Sequence, residues 1–208
     1  MIVEFVGPPG AGKTTTAREV GQRLTNARLY PGLRRFPVRG RRLHGPQRDG
    51  QRLLTLVSHP TIGRHLARVR SRAQFELLAR LARYEQYRRS LASEAGVVLL
   101  EEGPLLGLAT LGAEGGQVVP TRAITPPDLV VHVTAPAEVC RQRIRQRRAN
   151  RSFDVQSDGA LLDLLQRYVD AVDAAVAGTD APVCRVDTTS GGAVDTVVTA
   201  VRRCGADD

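Results

Sequence analysis

The sequence predicts an α/β fold in which a parallel sheet carries helices on both faces, and three observations predict it. Strand-like and helix-like patterns alternate along the chain, which is the order that builds a parallel sheet. A glycine-rich turn joins the first strand pattern directly to the first helix pattern. The inner strand patterns are apolar on both faces, as in strands buried in the middle of a sheet. The 208 residues suit one domain with a substantial core and are too few for two large ones.

Taken in order, Ile2-Val3-Glu4-Phe5-Val6 reads as the first strand, residues 7–12 as a turn, and residues 13–24 as a helix begun by hydroxyl-bearing side chains. From 26 to 60 the pattern weakens, broken by Pro31-Gly32, Pro37, Gly40, Gly45-Pro46 and Gly50. Any second strand in this stretch is short, and the pattern does not place it. Residues 62–93 read as one long helix, with Leu66, Val69, Ala73, Leu77, Leu81 and Tyr84 at helical spacing. Val97-Val98-Leu99-Leu100 is a buried strand and ends in two glutamates. A further strand covers 129–133, and Pro136 opens an arginine-dense helix running to about 148. Residues 161–177 form an amphipathic helix, 182–186 the last strand and 194–203 the last helix.

Composition narrows the function classes. The hydrophobic share is 42%, and no apolar run approaches the ~20 residues that span a bilayer, so no membrane association is expected. The opening run lacks a basic segment and a long apolar one, so no secretion signal is expected and the location is read as cytoplasmic. Cys140, Cys184 and Cys204 are three in number, without metal-ligand spacing, which suits free thiols in a reducing compartment. The net charge of +9 comes from arginine and favours anionic partners. Lys13 is the only lysine in the chain.

That lysine falls in Gly7-Pro8-Pro9-Gly10-Ala11-Gly12-Lys13-Thr14. The spacing Gly-x-x-x-x-Gly-Lys-Thr wraps main-chain N–H groups around a phosphate at a helix N-terminus, where the helix dipole also favours negative charge. Lys13 is placed to bridge the terminal phosphates of ATP and Thr14 to ligate Mg²⁺, with Thr15 beside it in the same first turn. A compact ammonium on a flexible stem reaches phosphates that a planar guanidinium serves poorly. The second constellation is Glu101-Glu102, at the C-terminal end of a buried strand, the sheet edge that faces ligands in open α/β folds. A carboxylate there can hold the water shell of Mg²⁺, the role assigned to Glu101, or take a proton from an attacking hydroxyl. Asp128 precedes its strand, lies on the far rim and is read as structural.

With these residues in hand, the chain resembles thymidylate kinases and related nucleoside and nucleotide kinases. The likeness runs through the phosphate loop, through Val97 to Gly103, through Pro136-Ala137-Glu138-Val139-Cys140-Arg141-Gln142-Arg143-Ile144-Arg145-Gln146-Arg147, and through Phe153 to Tyr168. It implies a three-layer P-loop fold with a five-stranded parallel sheet of order 2-3-1-4-5 and a helical lid. Within one P-loop kinase domain over 1–208, the core would be 1–25, 94–135 and 178–208, the acceptor region about 26–93 and the lid about 136–157. Arg143 and Arg147 look like the lid's Arg-x-x-x-Arg pair, which closes on the transferred phosphoryl group; Arg141, Arg145 and Arg148 are given no role. Asp187-Thr188-Thr189-Ser190-Gly191 is similar to the loop that cradles the adenine base, so Thr188 and Ser190 join the nucleotide-binding set. Relatives of this kind often pair through their long helix, so a homodimer is among the expected partners.

One departure is informative. Thymidylate kinases end the central strand in Asp-Arg, and that Arg binds the acceptor's phosphate; here Glu101 and Glu102 take those two positions. A carboxylate repels a phosphate, which favours an acceptor presenting a hydroxyl on a neutral or cationic small molecule, with Glu101 or Glu102 as base. Arg34, Arg35, Arg39, Arg41 and Arg42 remain available to a phosphorylated acceptor. The expected function is therefore transfer of the γ-phosphate of Mg-ATP to a small-molecule hydroxyl or a nucleotide phosphate. The alternative is a nucleic-acid-directed P-loop protein, a 5′-end kinase or nucleotide-dependent binder, which the arginine excess supports and the aromatic share of 4% opposes. A guanine-reading switch is disfavoured, because Asn-Lys-x-Asp needs a second lysine.

Overall fold

The computed structural model describes residues 1–30, 59–65, 69–92, 95–115, 120–147 and 157–205. Five parallel strands form one sheet: β1 (Ile2–Val6), β2 (Ala27–Tyr30), β3 (Val97–Leu100), β4 (Leu129–Thr134) and β5 (Val183–Asp187). Their order is β2-β3-β1-β4-β5, the order the resemblance implies. β1 is central, with Glu4 opposite Leu100 of β3 on one side and Val130 of β4 on the other.

Alternation along β1 sorts the layers. Val3 and Phe5 pack under α1 (Lys13–Arg23), α5 (Ala137–Gln146) and α7 (Ala193–Gly205), through Ala17, Val20, Ile144, Val197 and Val201. The opposite face lies under α3 (Arg72–Ala92), α4 (Pro104–Gly115) and the second half of α6 (Asp158–Ala177). Val6 meets that layer through Leu78, Leu108, Val172 and their neighbours, while Ile2 packs with Tyr84 and Leu91. Helices on both faces of a parallel sheet make three layers, and apolar burial on both faces is what holds β1, β3 and β4 in the centre.

The structure fills two gaps and corrects one expectation. The unplaced second strand is β2, which follows α1 at once and pairs with β3 from Ala27↔Val97 to Tyr30↔Leu100. It is four residues long and lies at the sheet edge, so it has almost no periodic pattern to detect. The long helix is not continuous from 62: a single turn, α2 (Pro60–Gly63), is separated from α3, whose start is capped by Ser71. The Ser71 hydroxyl accepts from the Gln74 amide at 3.2 Å, and the Gln74 side chain reaches back to the Arg70 amide at 2.8 Å. Ser71-Arg72-Ala73-Gln74 thus caps the helix much as a capping box does, with Gln74 reaching one residue further back, a start signal that the helical stripe obscures. Finally, α4 was not expected. It is apolar nearly all round, carries Gly107 and Gly112, and is buried between the sheet, α3 and α6, so it shows no polar face to set its period.

Asp128 takes its expected structural place: its carboxylate accepts from the Ile2 amide at 2.6 Å and its amide donates to the Ile2 carbonyl at 2.9 Å, on the far rim from the phosphate loop. Cys140, Cys184 and Cys204 are free. Among the described residues no helix is long and apolar enough to cross a membrane.

Candidate active site

The loop 7–12 leaves the C-terminal end of β1 and enters α1 at Lys13. Two glycines fix its path. A Cβ on Gly7 would stand 2.2 Å from the Val133 carbonyl oxygen of β4, and one on Gly10, where φ is +84°, would stand 2.5 Å from the Cys140 carbonyl oxygen of α5. The loop is thus seated directly on backbone, closed by the Ala11 amide donating to the Pro8 carbonyl at 3.2 Å. α1 has no acidic residue in its first turn, so its leading amides and the positive end of its dipole face the loop without internal neutralisation. The Lys13 ammonium donates to the carbonyls of Gly7 at 2.7 Å and Pro8 at 2.9 Å. Burial lowers this ammonium to about 8, opposed chiefly by Glu102, with Cys140 and Glu101 acting in the same direction as Glu102.

On the β4 side lies a cleft of about 550 Å³, a size that suits a nucleoside. It brings together seven of the residues expected to bind nucleotide or phosphoryl group: Gly10, Gly12, Thr15, Arg143, Arg147, Thr188 and Ser190. Arg143 is its crosspiece. One of its guanidinium nitrogens donates to the Thr188 hydroxyl at 2.8 Å and leans on the carbonyls of Ala11 at 3.3 Å and Gly10 at 3.4 Å, and the other donates to the Thr188 carbonyl at 3.1 Å. The Thr188 hydroxyl in turn donates to the Ala11 carbonyl at 2.7 Å. The phosphate loop, α5 and the loop after β5 are therefore held as one unit. Sequence reasoning missed the far wall of the cleft, Glu19, Arg23 and Asp195, where Arg23 of α1 pairs with Asp195 of α7. The signal was present: Thr15, Glu19 and Arg23 recur at four-residue intervals, one face of a helix.

On the β3 side, the Glu101 amide donates to the Tyr30 carbonyl at 3.1 Å, which carries the pairing of β2 and β3 one residue past the strands. The Glu101 side chain is buried, and its Oε1 has no hydrogen-bond partner. Arg18, 64% exposed and one turn beyond Thr14 on α1, approaches that oxygen at 3.7 Å, an ion pair too long to be a hydrogen bond and well screened by water. Glu102 is exposed. A buried carboxylate oxygen that accepts no hydrogen bond, close enough to Lys13 to act on its charge, fits a hard cation such as Mg²⁺, as does the hydroxyl of Thr14. Among the described residues no group of three His, Cys, Asp or Glu could hold a metal ion. Mg²⁺ is commonly held by one or two protein oxygens with the rest from phosphates and water.

The remaining arginines of α5 are engaged elsewhere. Arg145 donates to Asp158 at 3.0 Å, and Arg141 pairs with both Asp158 and Glu138, pinning α5 to the start of α6. Neither lines the cleft. Arg148, Arg34, Arg35, Arg39, Arg41 and Arg42 lie outside the described residues.

No protein-family model matches the sequence, and no curated protein matches it. Among solved structures, the chain is similar to deoxyadenosine kinase from M. mycoides with products dCMP and a flexible dCDP bound, with a TM-score of 0.59 and 13% identity over 100% of each chain. The same enzyme with dCTP bound gives a TM-score of 0.59 at 12% identity over 98% of this chain and 100% of that one. With dATP bound it gives 0.58 at 12% identity over 97% and 100%. At such identities the likeness is one of fold, end to end: with its phosphate loop and its 2-3-1-4-5 sheet, this chain has the fold of the P-loop kinases.

Proposed function

We propose that the protein transfers the γ-phosphate of Mg-ATP to a hydroxyl of a small, nucleoside-like acceptor. The observation that carries this is the buried Oε1 of Glu101, which accepts no hydrogen bond and meets the exposed Arg18 at 3.7 Å, at the strand end beside a phosphate loop whose lysine it helps to keep charged. In this reading the amides of Gly7, Gly10, Ala11 and Gly12 and the Lys13 ammonium hold the β- and γ-phosphates, with Pro8 and Pro9, which carry no N–H, shaping the loop. Thr14 and Glu101 would hold Mg²⁺, which supplies charge neutralisation at the phosphate oxygens when bound. The cleft bounded by Thr15, Thr188 and Ser190 takes the adenosine. The acceptor binds over the β3 side, within about 26–93, and the lid, about 136–157, closes over the phosphates.

The chemistry then balances simply. The acceptor oxygen attacks the γ-phosphorus, the bond from that phosphorus to the β–γ bridging oxygen breaks, ADP leaves, and the hydroxyl proton passes to a carboxylate, Glu101 or Glu102. Arg143 and Arg147 stabilise the charge spread over the transferred group. The deoxyadenosine kinase likeness supports a nucleoside over other hydroxyl acceptors.

ADP release in the presence of Mg-ATP and a panel of nucleosides, nucleoside monophosphates, sugars and aminoglycosides tests the reading. Turnover with a hydroxyl acceptor is expected; turnover confined to nucleoside monophosphates would rule out the hydroxyl assignment, and the absence of any heat with ATP and magnesium would remove the whole proposal.

A further inference from the structure

Glu4 is a carboxyl in the middle of the central strand, 0% exposed. Its strand neighbours across the sheet are Leu100 and Val130. From α3 the titratable group beside it is Tyr84, itself influenced by Arg88, Glu85 and Asp128. α4 offers only main chain: Oε1 accepts from the Leu106 amide at 2.8 Å, and the nearby Leu105 amide also favours the charged form of the carboxyl. These are first-turn amides of α4, donors that have no partner within the helix. Oε2 has no hydrogen-bond partner. Gly103 lies so close that a Cβ there would stand 2.3 Å from the Glu4 Cδ. A fully buried acid in a central strand costs far more than a leucine of similar size, so its retention asks for a role.

Its location supplies one. The main-chain ladder between β1 and β3 ends at Glu4↔Leu100. β1 continues into the phosphate loop, while the other chain turns away as Glu101-Glu102-Gly103 and enters α4 at Pro104. The Glu4 side chain takes over where the ladder stops, grasping the helix that receives the turn and packing against the turn's own glycine. We propose that Glu4 is a positioning residue, whose carboxyl fixes the 101–103 turn to β1 and thereby sets Glu101 relative to the phosphate loop. The inference rests on the phosphotransfer reading for what Glu101 does; the clamp itself does not.

Calorimetric titration with ATP, in magnesium chloride and separately in EDTA, tests it on the full chain. In the wild type magnesium should tighten ATP binding. Glu4→Gln keeps the shape and an acceptor oxygen and should keep that gain. Glu4→Leu keeps the bulk but not the acceptor, and should bind magnesium-free ATP nearly as the wild type does while losing at least roughly tenfold of the magnesium-dependent affinity, the scale of a lost outer partner of a metal ligand. A folded Glu4→Leu protein with the full magnesium gain would overturn the proposal. Should that variant fail to fold, Gly103→Ala presses on the same contact from the other side and should show the same selective loss; full retention there would overturn it equally. If the wild type binds no ATP, the functional reading has failed by itself. Hydrogen exchange at the Leu105 and Leu106 amides then decides the clamp: faster in Glu4→Leu and not in Glu4→Gln supports it, and unchanged exchange in both ends it.

Discussion

The two sides of β1 solve the same problem with different materials. Towards β4 the site is built from main-chain amides, hydroxyls and one crosspiece arginine, and its parts are fastened to one another: Arg143 to Thr188, Thr188 to Ala11, Gly10 against the backbone of α5. Towards β3 it is built from carboxylates, with Glu101 buried and accepting no hydrogen bond at Oε1, Glu102 exposed, and Glu4 beneath them holding α4. The first side is complementary to a polyanion and has few degrees of freedom. The second repels a polyanion and suits a cation and a proton to be removed. A phosphotransfer site needs both in that arrangement, and the contrast can be broken in specific ways.

The largest effect is expected at Lys13. Lys13→Ala should fold and should lose phosphotransfer by about 10³-fold or more, because the ammonium is the charge the loop contributes to the transferring group. Turnover within tenfold of the wild type, in a protein whose far-ultraviolet circular dichroism is unchanged, would contradict the assignment. Next come the two glutamates, which should separate. Glu101→Gln should lower kcat by roughly 10²–10⁴-fold, since Glu101 is the buried one. Glu102→Gln should act chiefly on KM for the acceptor, since Glu102 is exposed to whatever binds there. Equal and small losses from both would dissolve the distinction between the sides. A smaller effect is expected at Arg143: Arg143→Met removes the crosspiece and should raise KM for ATP by about tenfold, and Thr188→Val, which removes a single hydroxyl, by less. A steady-state series in ATP at saturating acceptor measures both.

How far each side was legible in the sequence follows from the same contrast. The β4 side rests on backbone geometry, which demands glycine at fixed spacing and a lysine at one place, so Gly7 to Thr14 announced it. β4, β5 and their helices followed from strong periodicity. The β3 side depends on where side chains land after folding. Glu101 and Glu102 could be read because they follow a run of four apolar residues, but β2 is too short to show a period, and α4 hides its period because every face is covered. Glu4 stands within a strand run, and an acid between apolar neighbours in a central strand is itself a signal. Much of the region proposed for the acceptor, residues 31–58, lies outside the described residues, and no motif substitutes for it.

The remaining prediction, read in stability and not in turnover, compares the sides most directly. Each keeps one ionisable group against burial, and burial brings both to about 8 from opposite directions: Glu4 up from 4.5 and Lys13 down from 10.5. The folded state holds the Glu4 proton that the unfolded chain has lost between about 4.5 and 8, so this group removes stability as pH rises through that window and contributes no further change above it. Lys13 does the reverse: between about 8 and 10.5 the unfolded chain keeps a proton that the folded state has released, so stability is regained as pH rises. Each limb has a limiting slope of about 1.4 kcal/mol per pH unit. Relative to the wild type, Glu4→Gln should therefore gain thermal stability steadily from pH 5 to pH 8 and then hold level. Lys13→Met should hold level to pH 8 and lose ground from there to pH 10. Melting temperatures of the three proteins across pH 5–10 measure both limbs. A flat difference for Glu4→Gln would mean that its carboxyl is charged in the fold, and the carboxylate side would then have no neutral anchor beneath it.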